Sequence, residues 1–194
     1  MNTHEQAASL PPGPLTPALF AAFLERCQRP LFTFLGGMVE NDEQALDLMQ
    51  DTFCEAWRVA QRNAPPFDGG RDERELRRWL FHVAYHRTIS ALRHQRVIRW
   101  QSLDADFPEE SVADAPFEDT VIEMQAMQLA LTELAPPDVA CLLLIVVHGF
   151  TAAEAGQIIG ATAAAVAKRF SRAKQRLREV YLAQNPSEVE RMRL

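Results

Sequence analysis

The sequence is poor in cysteine, and its three cysteines are far apart. Cys27, Cys54 and Cys141 form neither a C-x-x-C pair nor an even-numbered framework. This spacing excludes a disulfide scaffold and a cysteine-ligated zinc site, and it favours a reducing compartment. The eight glycines and twelve prolines are also too few for a collagen-like or low-complexity chain.

Long hydrophobic runs are absent as well. The longest, Val139 to Val147, is closed by His148, whereas a membrane-spanning helix needs about 20 apolar residues. The N-terminus lacks the basic stretch and apolar stretch of a secretory signal. We therefore expect a soluble, cytoplasmic protein without membrane insertion.

Catalytic motifs are missing too. The chain has no phosphate-binding glycine loop and no G-x-S-x-G nucleophile motif. His82 and His86 have the i, i+4 spacing of paired metal ligands, but no third ligand follows and arginines crowd them. We predict no catalytic residues, no metal site, no cofactor and no enzymatic activity.

The net charge of −6 conceals a strong segregation of charge along the chain. Residues 58–99 hold ten arginines against four acids, and residues 168–194 hold eight basic residues against three acids. Between them, residues 100–167 hold eleven acids and no lysine or arginine. Two basic blocks inside helical patterns predict two nucleic-acid-binding surfaces, although a charge block can also be a merely solvated face.

Apolar residues recur at three- and four-residue spacing without sustained alternation, which predicts an all-α fold of two small helical domains. Pro30 is expected to end one helix or to lie in the first turn of the next. Asn41 or Asp42 is expected to begin a helix. The predicted organisation is a flexible leader (1–17), a helical domain (18–99), a flexible acidic linker (100–120), a second helical domain (121–183) and a tail (184–194).

The second domain has the pattern of a helix-turn-helix. Thr151 is expected to cap a helix, and Glu154 three residues on completes a capping box. A short helix runs from Ala152 to Ile159, and a turn at Gly160 leads into a basic helix from Ala163. Such a helix can present its N-terminus to a major groove. An ordinary helical hairpin with a charged surface is the alternative.

The first basic block interleaves arginines with aromatic residues, the combination on which unpaired bases stack. We expect Tyr85, His86 and His94 to be exposed and available for stacking. Trp79 and Phe81 are expected to pack in the core.

Three segments together resemble bacterial RNA polymerase sigma factors of the extracytoplasmic-function (ECF) type of the sigma-70 family. DLMQDTFCEAW (Asp47 to Trp57) is similar to their acidic-aromatic helix, and RRWLFHVAYHRTISALRH (Arg77 to His94) to their promoter-melting helix. The segment from Ala130 to Glu179 resembles their second domain, and the resemblance spans about residues 18–182.

The resemblance implies a sigma factor that directs core RNA polymerase to specific promoters and assists promoter melting. It implies core-polymerase contacts through Asp47, Leu48, Gln50, Asp51 and Glu55. It implies minus-ten contacts through Arg77, Arg78, Tyr85, His86, Arg93, His94 and Arg96. It implies minus-thirty-five contacts through Thr162, Ala164, Ala165, Lys168, Arg169, Arg172 and Arg176. The expected partners are core RNA polymerase, promoter DNA and an anti-sigma factor, with the free chain monomeric.

The chain departs from the family pattern at several positions. Val139, Ile145 and Ala167 stand where basic residues are common, and Ser90 replaces a common aspartate. The promoter sequence therefore does not carry over from the family. Two alternatives remain open: a helix-turn-helix regulator that is no sigma subunit, which would not need Asp47 to Trp57, and a degenerate sigma-like interaction protein.

Overall fold

The structure is a computed structural model, and it describes residues 16–39, 41–68, 72–101 and 126–184. Nearly all of the predicted leader, acidic linker and tail lies outside these residues. Among the described residues there are helices and no strands, so the all-α prediction is confirmed.

Three helices form the N-terminal unit: α1 (Pro17–Gly36), α2 (Asp42–Gln61) and α3 (Glu73–Gln101). The side chains of Thr16 and Asn41 accept hydrogen bonds from the first turns of α1 and α2, which satisfies amide groups that have no partner within the helix. α3 continues two residues beyond the predicted domain end.

Pro30 lies inside α1, so the prediction of a helix boundary there is wrong. The buried face of the helix continues across the proline, with Phe23 and Cys27 before it and Leu31 and Phe34 after it. A proline costs a helix interior about 3 kcal/mol. Burial of several large apolar side chains, at about 1.5–3 kcal/mol each, outweighs that cost.

The C-terminal unit begins with α4, whose described part is residues 126–132. α5 (Pro136–Leu142) runs on into a π-helical turn (Leu143–Val147). α6 (Ala152–Ile159) and α7 (Ala163–Gln184) follow.

The turn between α6 and α7 is built tightly around two glycines. Gly160 ends α6 with a positive φ of 73°, a conformation that favours glycine. Gly156 faces the turn, and a Cβ atom added there would lie 2.5 Å from the carbonyl oxygen of Ala161. At the other end of α6, Thr151 and Glu154 form the reciprocal bonds of a capping box.

Gly156→Ala is expected to destabilise the protein by about 1–3 kcal/mol, since the new methyl group forces the turn backbone away from α6. The melting temperature should fall by roughly 2–4 °C per kcal/mol for a chain of this size. Gly36→Ala is the matched control, because a Cβ atom there meets nothing within 4 Å. An unchanged melting temperature in Gly156→Ala would contradict this account of the turn.

The two units share one continuous cluster of buried apolar side chains. α3 of the N-terminal unit packs directly on α6 of the C-terminal unit. We call this packing the closed arrangement, and we call the surface between the units the seam.

Candidate functional site

One long face of α2 is acidic and open to solvent. Asp47, Gln50 and Asp51 are exposed and Glu55 is half-buried. Leu48, which the resemblance placed among the polymerase contacts, is 8% exposed and belongs to the core. It lies on the stripe that α2 buries against its neighbours and offers little surface to a partner in this arrangement, so its contact role stays a prediction.

The acidic face is held to α3 by one arginine. Nη1 of Arg87 lies 3.3 Å from Oδ2 of Asp51, and Nη2 of the same side chain lies 3.6 Å from Oε2 of Glu55. Leu46 and Trp57 on the same helix are each about two-fifths exposed. A face that combines carboxylates with exposed apolar side chains suits a partner helix of complementary charge.

The predicted minus-ten residues are spread along α3 with different exposures. His86, Arg93 and His94 are exposed, and Arg77 and Arg78 are half-buried. The side chain of Arg96 lies outside the described residues.

Tyr85 is 6% exposed, so the expectation of an exposed ring there is wrong. Burial is the main cause that raises the pKa of Tyr85, and Arg169 and Cys141 of the C-terminal unit also act on it. Because these two residues lie close enough to act on the phenol, the C-terminal unit faces this side of α3. Phe81 is buried as predicted, and Trp79 is half-buried with its ring edge-to-face on Phe67.

The exposed His86 ring stacks edge-to-face on two neighbours. Its centroid lies 4.4 Å from that of His82 and 5.2 Å from that of Tyr85. The partial covering of the ring by its neighbours, followed by the charges of His82 and Arg93, lowers the pKa of His86. The ring is therefore neutral near pH 7, which suits stacking against a base.

A cleft opens between α3, the loop before it and α6. Its lining residues are Pro65, Pro66, Glu75, Arg78, Trp79, His82 and Gln157. All but Gln157 belong to the N-terminal unit, so the cleft is closed on one side by the C-terminal unit.

Polar contacts join the two units across the seam. Arg74 of α3 makes a two-pronged ion pair with Glu154 of α6, in which Nη2 donates to Oε2 at 2.8 Å. Arg77 donates to the carbonyl oxygen of His148 at 3.3 Å. Nδ1 of His82 lies 2.9 Å from the carbonyl oxygen of Ile158, where the ring nitrogen is the donor.

The centre of the seam is aromatic. The ring of His148 packs on Phe34 and Phe81, at centroid distances of 6.0 and 4.9 Å. Phe150 packs on Phe81 at 5.2 Å, and the Arg77 guanidinium lies over both phenylalanine rings. Among the described side chains, Nε2 of His148 is the one fully buried polar atom without a hydrogen-bond partner. This ring is therefore kept neutral.

The closed arrangement is expected to weaken in mild acid because of His148. Burial, with the nearby Arg77 charge, lowers the pKa of His148 from 6.5 to about 4. A histidine whose pKa is lower in the closed form takes up its proton on opening. The closed form is thus fully stable above about pH 6.5 and loses stability as the pH falls towards 4. At pH 5.5 the ratio of open to closed chain should have risen roughly tenfold.

Small-angle X-ray scattering at pH 7.5 and pH 5.5 tests this prediction, and we expect a larger radius of gyration at pH 5.5. His148→Gln should abolish the change between these two values. Glu154 does not contribute in this range, because the Arg74 hydrogen bond and the Thr151 cap lower its pKa to about 2. An equal expansion in the variant would assign the pH dependence to another group.

α7 presents the predicted minus-thirty-five residues on an open surface. Ala164, Ala165, Lys168, Arg172 and Arg176 are exposed. The hydroxyl of Thr162 caps the helix by accepting from the amide of Ala165 at 3.2 Å. Arg169 pairs with Asp138 of α5 at 2.9 Å and is half-buried. The exposed basic groups can contact phosphates, whereas Arg169 would first have to leave Asp138.

The described residues hold no group of three or more histidine, cysteine or acidic side chains that could bind a metal ion. In the same part of the chain, no helix has both the length and the apolar character needed to cross a membrane.

Sequence reasoning missed the residues that form the seam. Arg74 was counted only as part of a basic block, and His148 only as the end of an apolar run. Glu154 was recognised for its capping box, yet it also pairs with Arg74, 80 positions away. No spacing along the chain signals such a contact.

Two family patterns match the chain. Residues 23–97 match sigma-70 region 2, and residues 124–177 match sigma-70 region 4. The chain is 31% identical over 162 residues to the RNA polymerase sigma factor CarQ of Myxococcus xanthus, which covers 84% of this chain and 86% of CarQ. It is 28% identical over 153 residues to the ECF RNA polymerase sigma factor SigE of Mycolicibacterium smegmatis. That match covers 77% of this chain and 56% of the relative.

Solved structures of similar fold include two complexes. One is the sigma factor RpoE with the anti-sigma factor NepR from Bartonella quintana, with a TM-score of 0.68 and 27% identity, covering 83% of this chain and 95% of that one. Another is CnrH with the cytosolic domain of CnrY, with a TM-score of 0.64 and 20% identity, covering 87% of this chain and 90% of that one. The second likeness concerns the fold alone.

Proposed function

The chain belongs to the sigma-70 family as a sigma factor of the ECF type, which acts in transcription initiation, and from this premise we propose how its surfaces divide that work. Sigma factors are non-catalytic regulators of transcription, and we assign no catalytic residue to this chain. The proposed partners are core RNA polymerase and promoter DNA, and the proposed location is the cytoplasm, where both are found.

The acidic face of α2 is the proposed contact with core polymerase, and it is the observation that carries the proposal. Asp47, Gln50 and Asp51 are exposed there together with apolar Leu46. A regulator that merely binds duplex DNA has no need of such a face. Leu48 packs in the core on the buried side of this helix and is left out of the proposed contact.

α3 is the proposed surface for unpaired DNA of the minus-ten element. Exposed His86, Arg93 and His94 offer rings and charges for stacking and phosphate contact. Arg78 lines the neighbouring cleft, whereas Arg77 lies at the seam, where it donates to the carbonyl oxygen of His148. Tyr85 can contribute only after the seam has opened.

α7 is the proposed surface for the duplex minus-thirty-five element. Its first turn carries small side chains at Ala164 and Ala165, so the backbone can approach the bases closely. The exposed side of the helix beyond that turn carries Lys168, Arg172 and Arg176 at four-residue intervals. These side chains would contact phosphates, which fix the helix in register.

An anti-sigma factor is a further proposed partner. RpoE, a solved structure similar to this chain over most of its length, is held by an anti-sigma factor. We propose that the free chain is monomeric and that such a partner holds it in the uninduced cell.

Run-off transcription tests the proposal. Core RNA polymerase is incubated with genomic fragments, with and without this protein. We expect discrete transcripts that require the protein and start at fixed positions. Binding of the protein to DNA without any protein-dependent transcript would instead favour a helix-turn-helix regulator.

A further inference from the structure

Arg87 lies between the two surfaces that the N-terminal unit offers to its proposed partners. It belongs to α3 and directly follows His86 of the proposed strand surface. Its guanidinium reaches across to α2, where it pairs with Asp51 and Glu55 on the proposed polymerase face. One cation is therefore within reach of both surfaces.

We propose that Arg87 is a further phosphate-binding residue of the strand surface and that it is shared with the polymerase face. In the free chain, the two carboxylates of α2 hold its guanidinium. In the complex with polymerase, those carboxylates pair with the basic partner surface, and Arg87 turns to a phosphate of the unpaired strand. The proposal rests on the roles assigned above to α2 and α3.

The ion pairs of Arg87 are loose enough to be exchanged. Their N–O separations of 3.3 and 3.6 Å exceed the roughly 2.7–2.9 Å of a strong charge-assisted hydrogen bond. The side chain of Asp51 is 67% exposed, and an ion pair so open to water contributes little stability. Glu55 also lies 3.4 Å from Nη1 of Arg58, so it keeps a cationic neighbour when Arg87 leaves.

The fold does not depend on these ion pairs. α2 packs against α3, and both helices contribute buried apolar side chains to the same core cluster, among them Ala56 and Ala84. Arg87 is half-buried, with part of its side chain open to solvent. Its charge is therefore available to a ligand.

α3 places Arg87 in line with the strand surface. Residues at i, i+3 and i+7 of a helix share one side, so Arg87 heads a row that continues with the exposed Ser90 and His94. The exposed ring of His86 lies beside this row. The planar guanidinium fork fits a phosphate as well as it fits a carboxylate. A strand stacked on these rings brings its phosphates within reach of Arg87.

A basic polymerase surface and Arg87 compete for the same carboxylates. Two cations beside Asp51 and Glu55 repel each other, so an arriving lysine or arginine weakens the hold on Arg87. Conversely, a phosphate that takes Arg87 leaves the carboxylates without their cation and strengthens the polymerase contact. The two ligands thus favour each other's binding through a single side chain.

Neutral replacements on α2 release Arg87 in the absence of polymerase. Asp51→Asn with Glu55→Gln, which we call the released variant, removes both charges that hold the guanidinium and keeps side chains of similar shape. Glu25→Gln with Glu43→Gln is the matched control, because it removes two exposed acids of the same unit and changes the net charge equally. Both double variants are also combined with Arg87→Gln and with Arg87→Lys.

Fluorescence anisotropy measures the affinity of the full-length chain for a labelled single-stranded oligonucleotide at several salt concentrations, and circular dichroism reports folding. We expect the released variant to bind about two- to fivefold more tightly than the control. Its slope of log affinity against log salt should be steeper by about 0.7, the value for one added contact on a single strand. Arg87→Gln should abolish this gain, whereas Arg87→Lys should keep most of it because the charge remains.

Arg87→Gln by itself distinguishes phosphate binding from a merely structural role. Its affinity for core polymerase should not weaken, since the acidic face keeps all of its carboxylates. Promoter opening with polymerase, measured by permanganate reactivity at saturating protein, should fall about two- to fivefold through the lost phosphate contact.

The outcomes separate this proposal from the function on which it rests. Equal strand binding by the released variant and the control overturns the sharing of Arg87, and so does a gain that persists with Arg87→Gln. Weaker polymerase binding by Arg87→Gln would assign this residue to the polymerase contact and overturn the exchange. If neither the unaltered chain nor any variant binds single strands, the strand role of α3 itself fails, and the proposal fails with it.

Discussion

Replacing Asp47 and Asp51 with arginine is expected to weaken binding to core RNA polymerase at least about tenfold, a change of about 1.4 kcal/mol or more. The two carboxylates are one helical turn apart on the exposed face of α2. Reversal places like charges against a basic partner surface. The loss should be largest at low salt and should fall mainly on the association rate.

The fold should survive this double reversal. Asp51 gives up its 3.3 Å contact with Arg87, but Arg87 keeps Glu55 at 3.6 Å. Exposed ion pairs of this kind contribute about 0.2–1 kcal/mol. Far-ultraviolet circular dichroism should therefore show unchanged helix content.

Glu25→Arg with Glu133→Arg is the matched control for this prediction. Both residues are exposed acids outside α2, and the change in net charge is the same. Surface plasmon resonance against immobilised core enzyme compares the two double variants. Equal binding by both would show that α2 is not the polymerase contact.

Replacing His86 and Arg93 with alanine is expected to reduce promoter opening about 5- to 100-fold, since stacking contributes about 1–3 kcal/mol per base. The two residues lie two turns apart on the exposed part of α3. Neither lies on α7, so closed-complex binding to duplex promoter should change little.

Permanganate reactivity of thymines near the start site measures opening directly, at saturating protein and polymerase. Gln28→Ala with Arg29→Ala removes one arginine and one polar side chain from an exposed part of α1 and serves as the control.

Lys168→Ala with Arg172→Ala should give the converse result. Duplex affinity should then fall and the slope of log affinity against log salt should become shallower by about two, one for each lost phosphate contact.

Elements built from neighbouring residues could be predicted from the sequence. The capping box at Thr151, the start of α2 after Asn41 and the turn at Gly160 all depend on residues within one or two turns of each other. Their physics is local, so their pattern along the chain is sufficient.

Features set by tertiary packing could not be predicted in this way. Pro30 stays inside α1 because distant helices bury the stripe on both sides of it. Leu48 shares a motif with Asp47 and Asp51, and a motif does not say which side of the helix each member occupies. Tyr85 lies close to Cys141 and Arg169, which are more than 50 residues away in the sequence.

The aromatic centre of the seam also has a thermal consequence. Association of apolar surfaces near room temperature is driven by entropy and weakens on cooling. The contacts of Phe81 with His148 and Phe150 should therefore hold the units together less firmly in the cold. A chilled cell would then contain a larger fraction of open chains at the same protein concentration, and the chain would respond to temperature without any added component.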